Sequence, residues 1–251
     1  MAKMLPPGDH APTKLALYPW STYPWEASVD YHMHTSYTDG TATIKEMADS
    51  AEGYELKQVL FSEHVRHTST YYPDFVDELR ALAPENLVLL TGVETKILDV
   101  NGVLDCSPEI AAMCDGIVGS VHNPPIGDRE SGPGWSGMDP EAAEELEFQL
   151  AMAIATKSKA HVLGHPMGIV VTKFDRRPYD RLEELAMACA THGKAFELNA
   201  RYCGNPQRWT EIVKRAGCKV SFGSDAHNSQ DVGSAWRMFA EQGQNTRGLA
   251  R

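Results

Sequence analysis

The chain has little of what marks a secreted, membrane-bound or nucleic-acid-binding protein. Its five cysteines, Cys106, Cys114, Cys189, Cys203 and Cys218, are odd in number and form no Cys-x-x-Cys pair. That argues against a disulfide framework or a zinc knuckle and makes a reducing compartment the expectation. No apolar run approaches the roughly 20 residues of a membrane helix, and the Pro-rich start lacks the apolar core of a secretory signal. The protein is therefore expected to be cytoplasmic. No basic run offsets the formal charge of −11, which disfavours nucleic acid and anionic membranes as partners.

What is present fits one α/β domain. The 251 residues are 42% hydrophobic and 23% charged, ordinary values for a soluble chain that buries a full core. Short apolar runs at 28–32, 57–63, 87–94, 116–122, 160–165, 194–199 and 219–224 read as strands. Helical patterns separate them, the first opened by a capping box at Thr43-Ile44-Lys45-Glu46. Seven β-then-α units imply a parallel sheet with right-handed crossovers, so the predicted fold is a distorted (β/α)7 barrel. It occupies residues 27–251, behind an irregular extension over 1–26.

Nine residues of metal-binding type fall at or just after the ends of these strands: His32, His34, Asp39, His64, Glu94, His122, His165, Asp225 and His227. Functional groups of such barrels gather at the carboxyl ends of the strands, where loops converge on one pocket. His32 and His34 lie two apart in an extended segment, so both rings point to one face and form a chelate. Imidazole with carboxylate suits zinc, manganese or iron, whereas an all-oxygen shell suits magnesium or calcium. His10, His67, His161 and His192 have no spacing that sets them apart, and a lone histidine is most often a hydrogen-bonded structural residue.

The segments His32-x-His34 with Asp39-Gly40, Ser62-Glu63-His64, Gly92-Val93-Glu94, Gly119-Ser120-Val121-His122, Leu163-Gly164-His165-Pro166 and Gly223-Ser224-Asp225-Ala226-His227, taken in order, resemble the polymerase and histidinol phosphatase (PHP) family of metal-dependent phosphoesterases. The resemblance implies a trinuclear site. His32, His34, Glu94 and Asp225 would bind one ion, Asp39, His64 and His227 a second, and Glu94, His122 and His165 a third, with Glu94 bridging. Some relatives have histidine where Asp39 stands. The implied activity is hydrolysis of a small-molecule phosphate ester, such as histidinol phosphate, a nucleotide or a specialised metabolite phosphate, by metal-activated hydroxide. The Asp225/His227 segment is a candidate proton donor to the leaving group. Three divalent ions would leave the site locally cationic despite the acidic chain, matching a small anionic substrate.

Candidate substrate contacts are Arg66 and Arg201, whose forks suit phosphate, together with Asn199 at the rim and Trp135. Glu197, on the same strand face as Asn199, is a candidate outer partner to a ligand histidine. The Gly-rich stretch Gly127 to Gly137 is a candidate lid, and Tyr18-Pro19-Trp20 with Tyr23-Pro24-Trp25 is expected to pack against the barrel. Two alternatives stand beside the phosphoesterase. An amidohydrolase-like C–N hydrolase shares His-x-His and the barrel, but commonly needs a modified lysine where His122 stands. A non-catalytic metal-binding PHP domain would be expected to have lost ligands, and all nine are present.

Overall fold

The computed structural model describes residues 3–124 and 134–248. In chain order its elements are β1 (Tyr18–Pro19), β2 (Val29–Met33), α1 (Ile44–Gly53), β3 (Gln58–Val65), α2 (Tyr72–Ala81), β4 (Val88–Lys96), α3 (Pro108–Ala111), β5 (Gly116–Ser120), α4 (Pro140–Lys157), β6 (Val162–Leu163), α5 (Gly168–Phe174), α6 (Tyr179–Thr191), β7 (Ala195–Asn199), α7 (Pro206–Ala216), β8 (Lys219–Gly223) and α8 (Ser234–Gly248). Strands β2 to β8 are neighbours in sequence order and parallel throughout. The two edges meet: the His34 N–H donates to the Ala226 carbonyl at 2.8 Å, and the Asp225 N–H to the His32 carbonyl at 2.9 Å. Seven parallel strands curled until their edges join through these few bonds make the expected distorted barrel.

Local sequence accounts for the element boundaries. Thr43 and Glu46 exchange the two bonds of a capping box at the start of α1. Asp139 caps α4 ahead of Pro140, which needs no N–H partner at that position. Asn205 caps α7, and Gly217 ends it at φ 66°. The parallel strands are buried along most of their length, as their near-continuous apolar character requires.

Three expectations are adjusted. Strand β5 stops at Ser120 and β6 has only two residues, so His122 and His165 stand in the loops beyond their strands. Helix α5 was not predicted, because its run of Ile169-Val170-Val171-Thr172 is β-branched and carries little helical signal. The extension is less irregular than its composition suggests. β1 pairs antiparallel with β8, and Trp20, Tyr23 and Trp25 are buried against Phe222 and Trp236. Lys14 pairs with Asp115 at 2.6 Å.

Candidate metal centre

Glu94, near the end of β4, is 1% exposed and sits at the middle of the histidines. Its Oε1 lies 2.9 Å from His122 Nε2 and 2.7 Å from His165 Nε2. Its Oε2 lies 3.0 Å from His64 Nδ1, 3.4 Å from His32 Nε2 and 3.5 Å from His34 Nε2. Register puts His64 directly opposite Glu94 on the neighbouring strand. Two further carboxylates close the array. Asp225 Oδ1 is 3.4 Å from His34 Nε2 and 3.7 Å from His32 Nε2, and Asp39 Oδ2 is 3.2 Å from both His64 Nε2 and His227 Nε2. All nine predicted ligands therefore converge.

The donor set fits divalent ions. His32 Nε2 and both ring nitrogens of His34 are buried with no hydrogen-bond partner among the described residues, a costly state for polar atoms that a cation would relieve. Nitrogen and oxygen atoms bound to one tetrahedral ion at about 2.0–2.1 Å stand roughly 3.4 Å apart, the spacing found around His34. Three groups, His32-His34-Glu94, His34-His64-His227 and His64-Glu94-His122, each offer atoms within 4.8 Å of one another. Burial lowers the His34 pKa to about 4, against the pull of Asp225, so its ring is neutral and able to ligate. Burial alone would raise Glu94, but His122 and His32 hold it well below the usual carboxylate range. The bridging candidate is thus an anion.

Outer groups orient these ligands. Glu197 Oε1 meets His32 Nδ1 at 2.7 Å, its other oxygen accepts the His165 backbone N–H, and Asn199 Nδ2 donates to it at 3.2 Å. Fixing one imidazole nitrogen presents the other to a metal. Only glycine at 223 allows this, since a Cβ there would collide with Glu197 and His32. Asp30 accepts from the Ser224 N–H at 3.0 Å and the Gly233 N–H at 2.7 Å, which ties β2 to the segment carrying Asp225.

The proposed substrate contacts fare unevenly. Arg201 is more than half exposed, stands 3.6 Å from Asp225 Oδ2 and lines the cavity over the cluster. Arg66 lines an adjoining cavity of about 300 Å³ with His64, Ser69, Lys96 and His122. Asn199 is fully buried and spends its amide on Glu197 and the Arg201 N–H, so it lies beneath the rim it was expected to occupy. Trp135 is also buried, donating to the His122 carbonyl at 2.7 Å; it braces a ligand loop. Of the candidate lid, residues 127–133 lie outside the described residues. Sequence reasoning missed Tyr202, whose hydroxyl donates to Asp225 Oδ2 at 3.1 Å, and Lys96. Nothing in their spacing distinguishes them.

The sequence profile described as the PHP domain matches residues 30–201, well over half of the chain. The chain belongs to the PHP domain family. A second profile, described as PHP-associated, matches residues 207–251. The chain is 29% identical over 220 residues to the DNA polymerase/3'-5' exonuclease PolX of Bacillus subtilis (strain 168), covering 79% of itself and 34% of that protein. It thus spans about a third of this relative's length. Two solved structures share the fold. The histidinol phosphate phosphatase of Lactococcus lactis, complexed with zinc, L-histidinol and phosphate, superposes with a TM-score of 0.64 at 19% identity, over 86% of this chain and 94% of that one. The putative histidinol phosphatase of Listeria monocytogenes gives 0.67 at 15% identity, over 84% and 99%.

Proposed function

We propose that this PHP domain hydrolyses the phosphate ester of a small molecule at a centre of two to three divalent transition-metal ions, with zinc, manganese and iron the candidates. The observation that carries this is the set of orphaned, buried imidazole nitrogens of His32 and His34 amid Glu94 and Asp225 at ligand spacing. His32, His34, Glu94 and Asp225 would hold one ion, Asp39, His64 and His227 a second, and His122 and His165 a third, sharing Glu94. Bound ions of this kind lower the pKa of a coordinated water and neutralise charge growing on a phosphoryl group. Arg201 offers a planar fork to the phosphate oxygens from the open side of the cavity. The Asp225/His227 segment is the proposed route by which a proton reaches the departing oxygen, and the Tyr202 hydroxyl donates to Asp225. Glu197 keeps His32 oriented. The zinc, histidinol and phosphate named for the Lactococcus structure support a monoester; the polymerase/exonuclease relative is why diesters belong in the test.

The test is elemental analysis after mild purification, then phosphate release from a panel of monoesters and diesters by zinc-, manganese- and iron-loaded protein. Two to three ions per chain and turnover of at least one monoester are expected. One ion or fewer, with no activity gained on reconstitution, would overturn the proposal.

A further inference from the structure

Above the ligand cluster lies a cavity of about 200 Å³. Its floor is seven of the nine candidate ligands, Asp39, His64, Glu94, His122, His165, Asp225 and His227. Its walls come from Gly168, Ile169 and Thr172 of α5 and from Arg201 and Tyr202. Charged and polar groups on this list suit the phosphoryl group, which leaves Ile169 as the one apolar wall residue among those described. A phosphate ester also has an uncharged part, the carbons next to the ester oxygen. Resting on the phosphoesterase function proposed above, we infer that α5 is the specificity wall of this cavity and that Ile169 selects substrates by the size of the leaving group.

The placement of α5 is held from several sides. Both oxygens of Glu147, which is 1% exposed on α4, accept backbone N–H groups of the first turn, Ile169 at 2.9 Å and Val170 at 2.8 Å. One turn earlier on α4, Glu144 takes Arg176 Nε at 2.6 Å just beyond the other end of α5. The helix enters from Met167 at φ 60° and leaves into Asp175 at φ 50°, left-handed conformations that non-glycine residues hold only when their surroundings fix them. Gly168 lies against the cluster: a Cβ there would stand 3.4 Å from His165 Nδ1 and from the Tyr202 ring. A short helix indexed this firmly carries Ile169 at a fixed distance from the ligands, the condition for reading size. Glu147 is therefore a positioning residue, acting through α5.

The experiment compares kcat/KM for 1-naphthyl phosphate with that for phenyl phosphate in metal-loaded wild type, Ile169→Ala, Ile169→Phe and Glu147→Gln. A small change in an apolar pocket shifts such discrimination by roughly tenfold or somewhat more. The naphthyl-to-phenyl ratio should rise about tenfold in Ile169→Ala and fall by a similar factor in Ile169→Phe. In Glu147→Gln the ratio should move towards one with metal content retained, which a merely stabilising role would not produce. A ratio unchanged in both Ile169 variants, while they still release phosphate, overturns the inference and leaves the proposed function standing. Failure of the wild type to release phosphate from any monoester sinks both.

Discussion

His161 and His165 flank the same two-residue strand and are almost equally buried, at 3% and 6% exposure, yet their chemistry is opposite. At the entrance, His161 Nδ1 accepts the Ile117 N–H at 2.9 Å and Nε2 donates to the Ala11 carbonyl at 2.8 Å. Both nitrogens are satisfied, the tautomer is fixed, and burial lowers the pKa to about 4. At the exit, His165 stands at φ 24° with Nε2 on Glu94, which raises its pKa against the effect of burial. Burial therefore says nothing about function by itself. What separates a structural histidine from a candidate ligand is whether its second nitrogen meets a backbone group or a carboxylate that other imidazoles share.

The largest expected effect tests the shared carboxylate. Glu94→Gln should lose metal and turnover together, on the order of a thousandfold in activity, because several kcal/mol of charge stabilisation go with the bridge. It should be worse than Asp39→Asn, since among the described residues Asp39 lies within ion-pair distance of two imidazoles, His64 and His227, and Glu94 of five. Normal metal occupancy and near-normal turnover in Glu94→Gln would reject the bridging role.

His161 supplies the opposite test. A histidine whose folded pKa is about 4 against about 6.5 unfolded contributes stability that is present above 6.5 and is lost as pH falls towards 4. The loss is about 3 kcal/mol. In chelator, denaturant midpoints at pH 7.5 and 4.5 should therefore differ more for wild type than for His161→Gln. Equal pH dependence in the two proteins would mean that His161 is not held neutral.

Arg201→Lys is the smallest change and probes the open side of the centre. Lysine keeps the charge without the planar fork, and about tenfold to a hundredfold should be lost in kcat/KM, or roughly 1–3 kcal/mol. Metal content should not change, because among the described residues Arg201 meets the cluster through an ion pair with Asp225. Unaltered kinetics would make Arg201 an ordinary surface charge.

Much of this was legible before the fold. The seven strands were placed within a few residues because apolar runs and caps are local signals, and His-x-His, Glu94 and the Asp225-x-His227 segment followed from strand ends. Asn199 shows where such reasoning stops: the register that put it near the rim did not reveal that Glu197 and the Arg201 N–H would consume its amide. Trp135 is similar, since an indole in a Gly-rich stretch reads as a mobile contact until its Nε1 is seen on the His122 carbonyl.

The sequence by itself determined the barrel and the kinds and order of the candidate ligands, because strand periodicity and loop placement depend on residues close together in the chain. Only the tertiary structure decided which nitrogens go unsatisfied, that Glu197 orients His32 across 165 positions, that Gly223 leaves room for it, and that Glu147 sets α5 over the cluster. Those outcomes depend on sheet register and side-chain packing between distant segments, and a carboxylate or glycine carries no local mark of the partner it will meet.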